Sequence, residues 1–387
     1  MVEFADELAD GVKGAALPGI RESLGLSYAQ LGLLAALPLL VGGLLELPVG
    51  LVRNRRLMML GGGVVFVGAL AAVAFARNLP ELLVAFVLFY PASGAFVSLT
   101  QASLMDTGPD RQSQLMARWD MAGWAGAVAG PLLLAGVLAA GGRWRDGYLV
   151  LAAMSGLAWL GMLRCRGLAD AGAQHIAEAQ HVAGAENAAG AEDAAGAKQT
   201  TGAEDPVGVR DVLAAARRWA VLRWLILLEV ANWLVDVLTG FVAVYLVVVV
   251  HASPVVAAFA VALRLGAGLA GDALLILALK RTSDAVILRG SAIVALLLYP
   301  GFLLVPGLAA KLVTLAVLSA ATATWYPLLL ARLYGTVPSS VAVTLSSAAS
   351  MAGGVGPLAV GMAAAALGLP WALAGLTVVP VVLICLA

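Results

Sequence analysis

Residues 3–18 read Glu3-Phe4-Ala5-Asp6-Glu7-Leu8-Ala9-Asp10-Gly11-Val12-Lys13-Gly14-Ala15-Ala16-Leu17-Pro18, and the stretch runs on to Ser27. Wound as a helix at about 100° per residue, Glu3, Asp6, Glu7, Asp10 and Lys13 fall within an arc of roughly 120°. The rest of the helix surface is Phe, Ala, Leu, Val and Gly. Taken alone, this pattern suits a surface helix of a soluble protein. However, the stretch returns 226 positions later, where Glu3 falls on Glu229, Asp10 on Asp236, Gly14 on Gly240 and Ser27 on Ser253. Without a gap, Glu46 then falls on Asp272, Arg55 on Arg281, and Gly130-Pro131 on Gly356-Pro357. Matches of Ala or Leu carry no weight in a chain so rich in both. Scarce acids and a Gly-Pro pair at one offset do, so the chain is read as two related halves, each opened by a polar helix.

Composition decides what surrounds those helices. Of 387 residues, 62% are hydrophobic and 12% charged, and mean hydropathy is +0.96. Soluble domains carry about 25% charged residues. So little charge cannot cover a water-exposed surface of this size, which makes the chain an integral membrane protein with lipid as its outer solvent. The 44 glycines suit membrane helices that pack backbone to backbone. Formal net charge is zero and argues for no nucleic-acid partner. The two cysteines, Cys165 and Cys385, form no disulfide framework, and His175, His181 and His251 form no ligand cluster. No metal or cofactor is expected. The N-terminus carries acids rather than a basic n-region, so the first helix is expected to stay as a span.

Apolar stretches of about 20 residues, each long enough to cross about 30 Å of hydrocarbon, fall at 3–24, 28–51, 57–76, 81–104, 119–141 and 147–163. A second set falls at 222–248, 254–279, 285–305, 308–331, 341–363 and 369–387. The expected fold is an all-α membrane protein of twelve transmembrane helices in two pseudo-symmetric six-helix bundles, 1–164 and 221–387. Lys and Arg set the orientation. One set of loops holds Arg53, Arg55, Arg56, Arg111, Arg118, Arg164, Arg166, Arg210, Arg217, Arg218, Lys280, Arg281 and Arg332. The opposite loops hold little beyond Arg77, Arg143, Arg145 and Lys311. The basic side is therefore read as cytoplasmic, with both termini inside the cell membrane. Between the halves, 165–220 repeats Ala-Gly-Ala-Glu and Ala-Gly-Ala-Lys, which lacks the apolar bulk for a core and is read as a cytoplasmic tether. From Val207 to Trp219 it becomes amphipathic and suits the membrane surface.

An acid at mid-membrane costs roughly 2.5–3.5 kcal/mol on insertion scales, so it normally faces a cavity or a partner. Glu7, Asp10, Glu229 and Asp236 are candidate proton or substrate ligands, with Asn232 and Trp233 near the Glu229–Asp236 face. Arg264 lies deep in the second half and calls for a carboxylate neighbour. Glu46 and Asp272 lie just before the basic clusters Arg53, Arg55, Arg56 and Lys280, Arg281, and are read as inner-end salt bridges that lock one conformation. Asp120 and Arg118 are read as interfacial. Tyr90, Gln101, Trp233, Trp325 and Tyr326 are candidate cavity residues.

This architecture resembles the major facilitator superfamily of secondary transporters over the whole chain apart from the linker. The superfamily's loop between helices 2 and 3 usually reads Gly-x-x-x-Asp-Arg-x-Gly-Arg-Arg. Here Gly50-Leu51-Val52-Arg53-Asn54-Arg55-Arg56 keeps the basic end without the acid and second glycine. The antiporter motif of helix 5 is partly present in Gly126-Ala127-Val128-Ala129-Gly130-Pro131. Its small residues are expected to let helix 5 approach helix 8 closely, while Pro131 bends the helix. Gly356-Pro357 repeats the feature in helix 11. The resemblance implies an arginine four residues before Gly94, a place that Tyr90 fills, with Arg264 a possible substitute. Phe89-Tyr90-Pro91 and Trp325-Tyr326-Pro327 are read as analogous kinks.

No Gly-Lys-Ser/Thr phosphate loop occurs, and neither does His-Glu-x-x-His nor a Gly-x-Ser-x-Gly elbow. The chain is not expected to be an enzyme, and uphill transport would draw on an ion gradient. The leading expectation is a monomeric proton-coupled exporter of small cationic or amphipathic molecules, working by alternating access. Alternatives are an importer or a lipid, lysolipid or metabolite transporter, then a divalent-metal exporter or a non-transporting scaffold.

Overall fold

A computed structural model describes residues 1–46, 55–106, 112–164, 214–337, 341–342, 345–346, 349 and 351–386. The polar opening stretch is helix α1 (Val2–Leu24), which ends at Gly25 in the left-handed region, φ 63°. Then follow α2 (Tyr28–Glu46), α3 (Arg55–Phe75), α4 (Leu79–Ser93), a π turn (Gly94–Ser98) and α5 (Leu99–Asp106). The first half closes with α6 (Gln112–Ala139) and α7 (Trp144–Arg164). The second half runs through α8 (Trp219–Val248), α9 (Pro254–Ala278), α10 (Asp284–Leu304), α11 (Leu308–Ala323) and α12 (Trp325–Tyr334). It ends with α13 (Val355–Leu367), α14 (Leu369–Ala374) and α15 (Val378–Leu386).

Among the described residues, nine helices are long and apolar enough to cross a membrane, and the stretches Tyr28–Gly42 and Val355–Leu367 are shorter apolar helices. Together with α1, whose acids lower its hydropathy, these fall at the predicted positions, although the end of the second span and the start of the eleventh lie partly outside the described residues. The protein is an all-α, multi-pass membrane protein. The tether at 165–213 and Arg53 lie outside the described residues, as do the side chains of Glu46 and Arg55.

Local chemistry repeats with the 226-residue offset. Ser27 Oγ accepts from the Gln30 amide at 3.2 Å, and Ser253 Oγ accepts from the Val256 amide at 3.3 Å. Each caps the helix after the first turn of its half. His251, which matches Gly25, is left-handed too, at φ 59°. Both halves also tie down the end of their third spanning helix with a cation. Arg145 donates to the carbonyls of Ala74, at the end of α3, and Ala76, just beyond it, each at 2.6 Å. Lys311 is buried and donates to the carbonyls of Phe302 at 2.7 Å and Leu303 at 2.9 Å near the end of α10. These are carbonyls that a helix end leaves unpaired, and a cation there also complements the helix dipole.

The predicted kinks are real breaks. Pro91 precedes the π turn of Gly94–Ser98, and α11 gives way to α12 at Thr324, three residues before Pro327. One packing expectation is corrected. A Cβ at Gly126 or Gly130 would strike the carbonyls of Phe4 and Leu8, so these glycines bring α6 onto α1, not onto α9. Pro131 completes that contact at Gly11. In the second half, Gly356 receives the Trp233 ring of α8, where a Cβ would come within 2.7 Å of it. Thus the fifth span of each half is pressed against the first. Although α6 does also pack on α9, these glycines serve the contact within the half, because a backbone-to-backbone approach needs small residues on the face that meets α1.

Candidate functional site

The two halves meet where α1 passes α8. A Cβ at Gly14 would run into the Thr239 carbonyl, so only glycine lets the helices come this close. Asp10 and Asp236 lie about one turn from that contact, each on its own helix, and both line one cavity of about 390 Å³. Asp6, Glu7 and Lys13 of α1 add to its wall, with Tyr90 and Ser93 of α4. Leu17, Leu34, Leu39 and Phe89 make the remainder largely apolar.

The side away from the basic loops is shut by α2 and α13. A Cβ on Gly361 would stand 2.6 Å from the Tyr28 carbonyl, and one on Gly32 would stand 2.8 Å from that of Pro357. Gly354 lies against Ala36 in the same seam. This run of glycines seals the halves backbone to backbone.

Charge in the chamber is arranged rather than scattered. Lys13 Nζ donates to Tyr90 Oη at 2.7 Å and lies 5.0 Å from the Tyr90 ring centre and 5.6 Å from that of Phe86. Asp10 and Asp236, one from each half, are the carboxylates whose field reaches it. Ser93 Oγ donates to Asp6 Oδ1 at 2.7 Å. α4 presents Tyr90 and Ser93 from the segment where Pro91 interrupts the hydrogen-bond ladder and the π turn follows. On the other flank of α1 a second recess of about 410 Å³ is lined by Glu3, Glu7, Asp10, Asp120, Trp124 and Leu265, among others. Glu7 and Asp10 border both spaces. Asp120, read from the sequence as interfacial, is exposed and borders this acid-lined recess.

Arg264 is buried, with 7% of its surface exposed. The carboxylate neighbour expected for it is Asp236, while the guanidinium's hydrogen bonds go to the Val235 carbonyl at 2.9 Å and to Thr239 Oγ1. Thr239 Oγ1 in turn donates to the Val235 carbonyl at 2.7 Å. Asp236 acts on the guanidinium through its field, without a direct ion pair. Arg264 therefore fastens α9 to α8 behind the chamber wall, and the cation beside Tyr90 comes from α1.

Of the other predicted ligands, Glu229, Asn232 and Trp233 do not line the chamber. Seven residues place Glu229 about 10 Å along the helix axis from Asp236, beyond the cavity, and the Trp233 ring is occupied over Gly356. Trp325 is fully buried, its Nε1 donating to Ser291 Oγ at 3.0 Å. Tyr326 is exposed, and Gln101 donates to Met116 Sδ at 3.4 Å. Tyr90 alone of these aromatics reaches the site. Of the expected inner salt bridges, those of Glu46, Arg53 and Arg55 fall outside the described side chains, and only the Asp272 side can be followed. Asp272 Oδ1 is buried without a hydrogen-bond partner, while Lys280 and Arg281 are exposed. Eight residues of rise, about 12 Å, separate Asp272 from Lys280 on the same run of chain, which explains why they do not pair. Arg332 and Asp284 pair nearby, Nε to Oδ2, at 2.8 Å. Arg56 is exposed. Among the described residues no three His, Cys, Asp or Glu side chains gather as a metal site.

Sequence reasoning passed over Lys13, Ser93 and Thr239 as site residues. Lys13 had a signal, as the single base on the acidic arc of α1. Ser93 and Thr239 had none, because a hydroxyl in a membrane helix normally bonds its own backbone.

A polytopic helical protein whose two halves enclose a charged chamber at mid-span has the form of a transporter. The chain belongs to the Major Facilitator Superfamily, whose sequence profile matches residues 2–361. Comparison with curated protein sequences finds no match. Solved structures share the fold. A nucleoside transporter, NupG, superposes with a TM-score of 0.76 at 12% identity, over 99% of this chain and 96% of its own. A bacterial homologue of the human lysosomal transporter Spinster, inward-facing and unoccupied, gives 0.72 at 15% identity, over 100% and 94%. A POT family transporter in complex with a thioalcohol-conjugated peptide gives 0.70 at 13% identity, over 99% and 93%. At such identities the likeness is one of fold.

Proposed function

We propose that this protein is a proton-coupled exporter of small cationic or amphipathic molecules, working by alternating access between its halves. The observation that carries this reading is the meeting of Asp10 and Asp236, from matching positions in the two halves, on one chamber wall with Asp6 and Glu7. A cavity whose carboxylates outnumber its single ammonium attracts cations, and its leucines and Phe89 suit an apolar body attached to the charge. Protonation of Asp10 or Asp236 competes with the cationic substrate, which gives exchange. Alternation parts the glycine seams and closes the opposite side.

In this reading the bundles 1–164 and 221–387 move against each other in the cell inner membrane. The protein acts as a monomer, with the termini and the 165–220 tether on the cytoplasmic side. Glu229 remains a candidate proton carrier away from the substrate, because both its carboxylate oxygens are buried. The test is export driven by a pH gradient in everted vesicles, using tetraphenylphosphonium as the probe. Asp10→Asn and Asp236→Asn are each expected to abolish gradient-driven export. Export unchanged with both positions neutralised defeats the mechanism.

A further inference from the structure

Lys13 is a base in a chamber otherwise lined by acids, and the proposed function above makes no use of it. Its ammonium has three N–H groups, and Tyr90 Oη takes one at 2.7 Å. Its aliphatic stem rises from mid-α1, so the charge stands at the level of the α1–α8 contact, where Gly14 meets Thr239. The ammonium sits at the hydroxyl edge of the Tyr90 ring, held by that hydrogen bond, with the Phe86 ring centre 5.6 Å away. The charged groups facing this point are Asp6, Glu7 and Asp10 from α1 and Asp236 from α8. Asp6 is engaged by Ser93, and Glu7 is shared with the second recess. The carboxylates whose field falls most on the ammonium are Asp10 and Asp236.

We infer that Lys13 is a specificity-determining residue that sets the charge of the transported solute. It is a tethered cation, parked on Tyr90, that offsets one of the chamber's carboxylate charges and repels a solute with two positive charges more than a solute with one. Two unit charges brought together in a partly buried site repel strongly, since water screens them poorly there. Tyr90 keeps the ammonium to one side, and this leaves the apolar wall of Leu34, Leu39 and Phe89 for the body of the solute.

This inference rests on the proposed cation export, and the experiment separates the two. Full-length protein in proteoliposomes is supplied with tetraphenylphosphonium, a monocation, or dequalinium, a dication, and initial rates are measured under the same pH gradient. Wild type is expected to favour the monocation. Lys13→Met is expected to raise the dication-to-monocation rate ratio by at least about tenfold, a lower bound on what one unit charge exerts across a few ångströms at intermediate dielectric. Lys13→Arg keeps the charge and is expected to keep the wild-type ratio. Tyr90→Phe removes the hydrogen bond and leaves the ammonium, so its ratio stays near wild type even where its rate falls. Should Lys13→Met not fold, Lys13→Gln carries the same comparison. If wild type moves neither cation, the export reading itself fails. If wild type moves tetraphenylphosphonium and removal of the lysine's charge leaves the ratio unchanged, the role given to Lys13 is wrong.

Discussion

Gly25 and His251 stand at equivalent places in the two halves and share one backbone conformation, φ 63° and φ 59°. Glycine enters the left-handed region freely, whereas a residue with a Cβ is held there at a cost of about 1–2 kcal/mol. The second half therefore carries strain that the first avoids. His251→Gly is expected to stabilise the protein by about 1 kcal/mol, and Gly25→Ala to destabilise it by a similar amount. Thermal unfolding of the detergent-purified variants checks both signs together.

Much of this organisation was legible from the chain itself. The offset that relates Ser27 to Ser253 was visible because scarce residues recurred, and both serines make the same cap. Span positions were legible because lipid demands long apolar runs. The site was only partly so. Asp10 and Asp236 announced themselves as charges in oil, but periodicity shows which face a residue occupies and not how far along the axis a cavity extends. That is why Glu229 and Trp233 were assigned to a chamber they do not reach. The destination of Arg264 was hidden for another reason. Its hydrogen bonds go to a carbonyl and a hydroxyl, with Nε left unpaired, and neither acceptor is a charged residue to find in sequence.

The glycine seams yield a conformational prediction. Gly14→Val puts a branched side chain where the Thr239 carbonyl of α8 already lies. Overpacking of this kind typically costs about 1–3 kcal/mol, and here the strain falls on the closed arrangement of the two halves. The population should shift toward the state open on the side away from the basic loops. Cysteine labelling at a chamber position such as Leu34, with a membrane-impermeant thiol reagent, is expected to accelerate on that side.

Gly130→Val acts differently because it forces α6 from α1 within one half. The added side chain meets the Leu8 carbonyl and Val12 amide. The expected result is lower folded yield and a depressed melting temperature, with no preference between open states. Size-exclusion profiles and thermal unfolding distinguish it from Gly14→Val.

Removing Lys311 strands polar groups in a dry place. The Phe302 carbonyl would lose the ammonium, while Tyr245 Oη and the Leu303 carbonyl would lose one partner each and keep the 3.1 Å hydrogen bond between them. Lys311→Met is expected to destabilise the protein by about 2–3 kcal/mol, the usual cost of leaving buried polar groups unpaired. By contrast, the exposed pair Arg332–Asp284, at 40% and 41% side-chain exposure, should contribute at most about 1 kcal/mol and lose that in salt. Melting temperatures of Lys311→Met and Asp284→Ala at low and high ionic strength check the contrast.

The paired cations Arg145 and Lys311 have a mechanical meaning. Each rivets the tip of its third span, on the side away from the basic loops, to a neighbour of the same half, so neither tip is free to swing alone. Whatever travels when the pore changes sides must carry these riveted ends along as cargo. The pliant joints must then be sought at the broken segments after Pro91 and at Thr324.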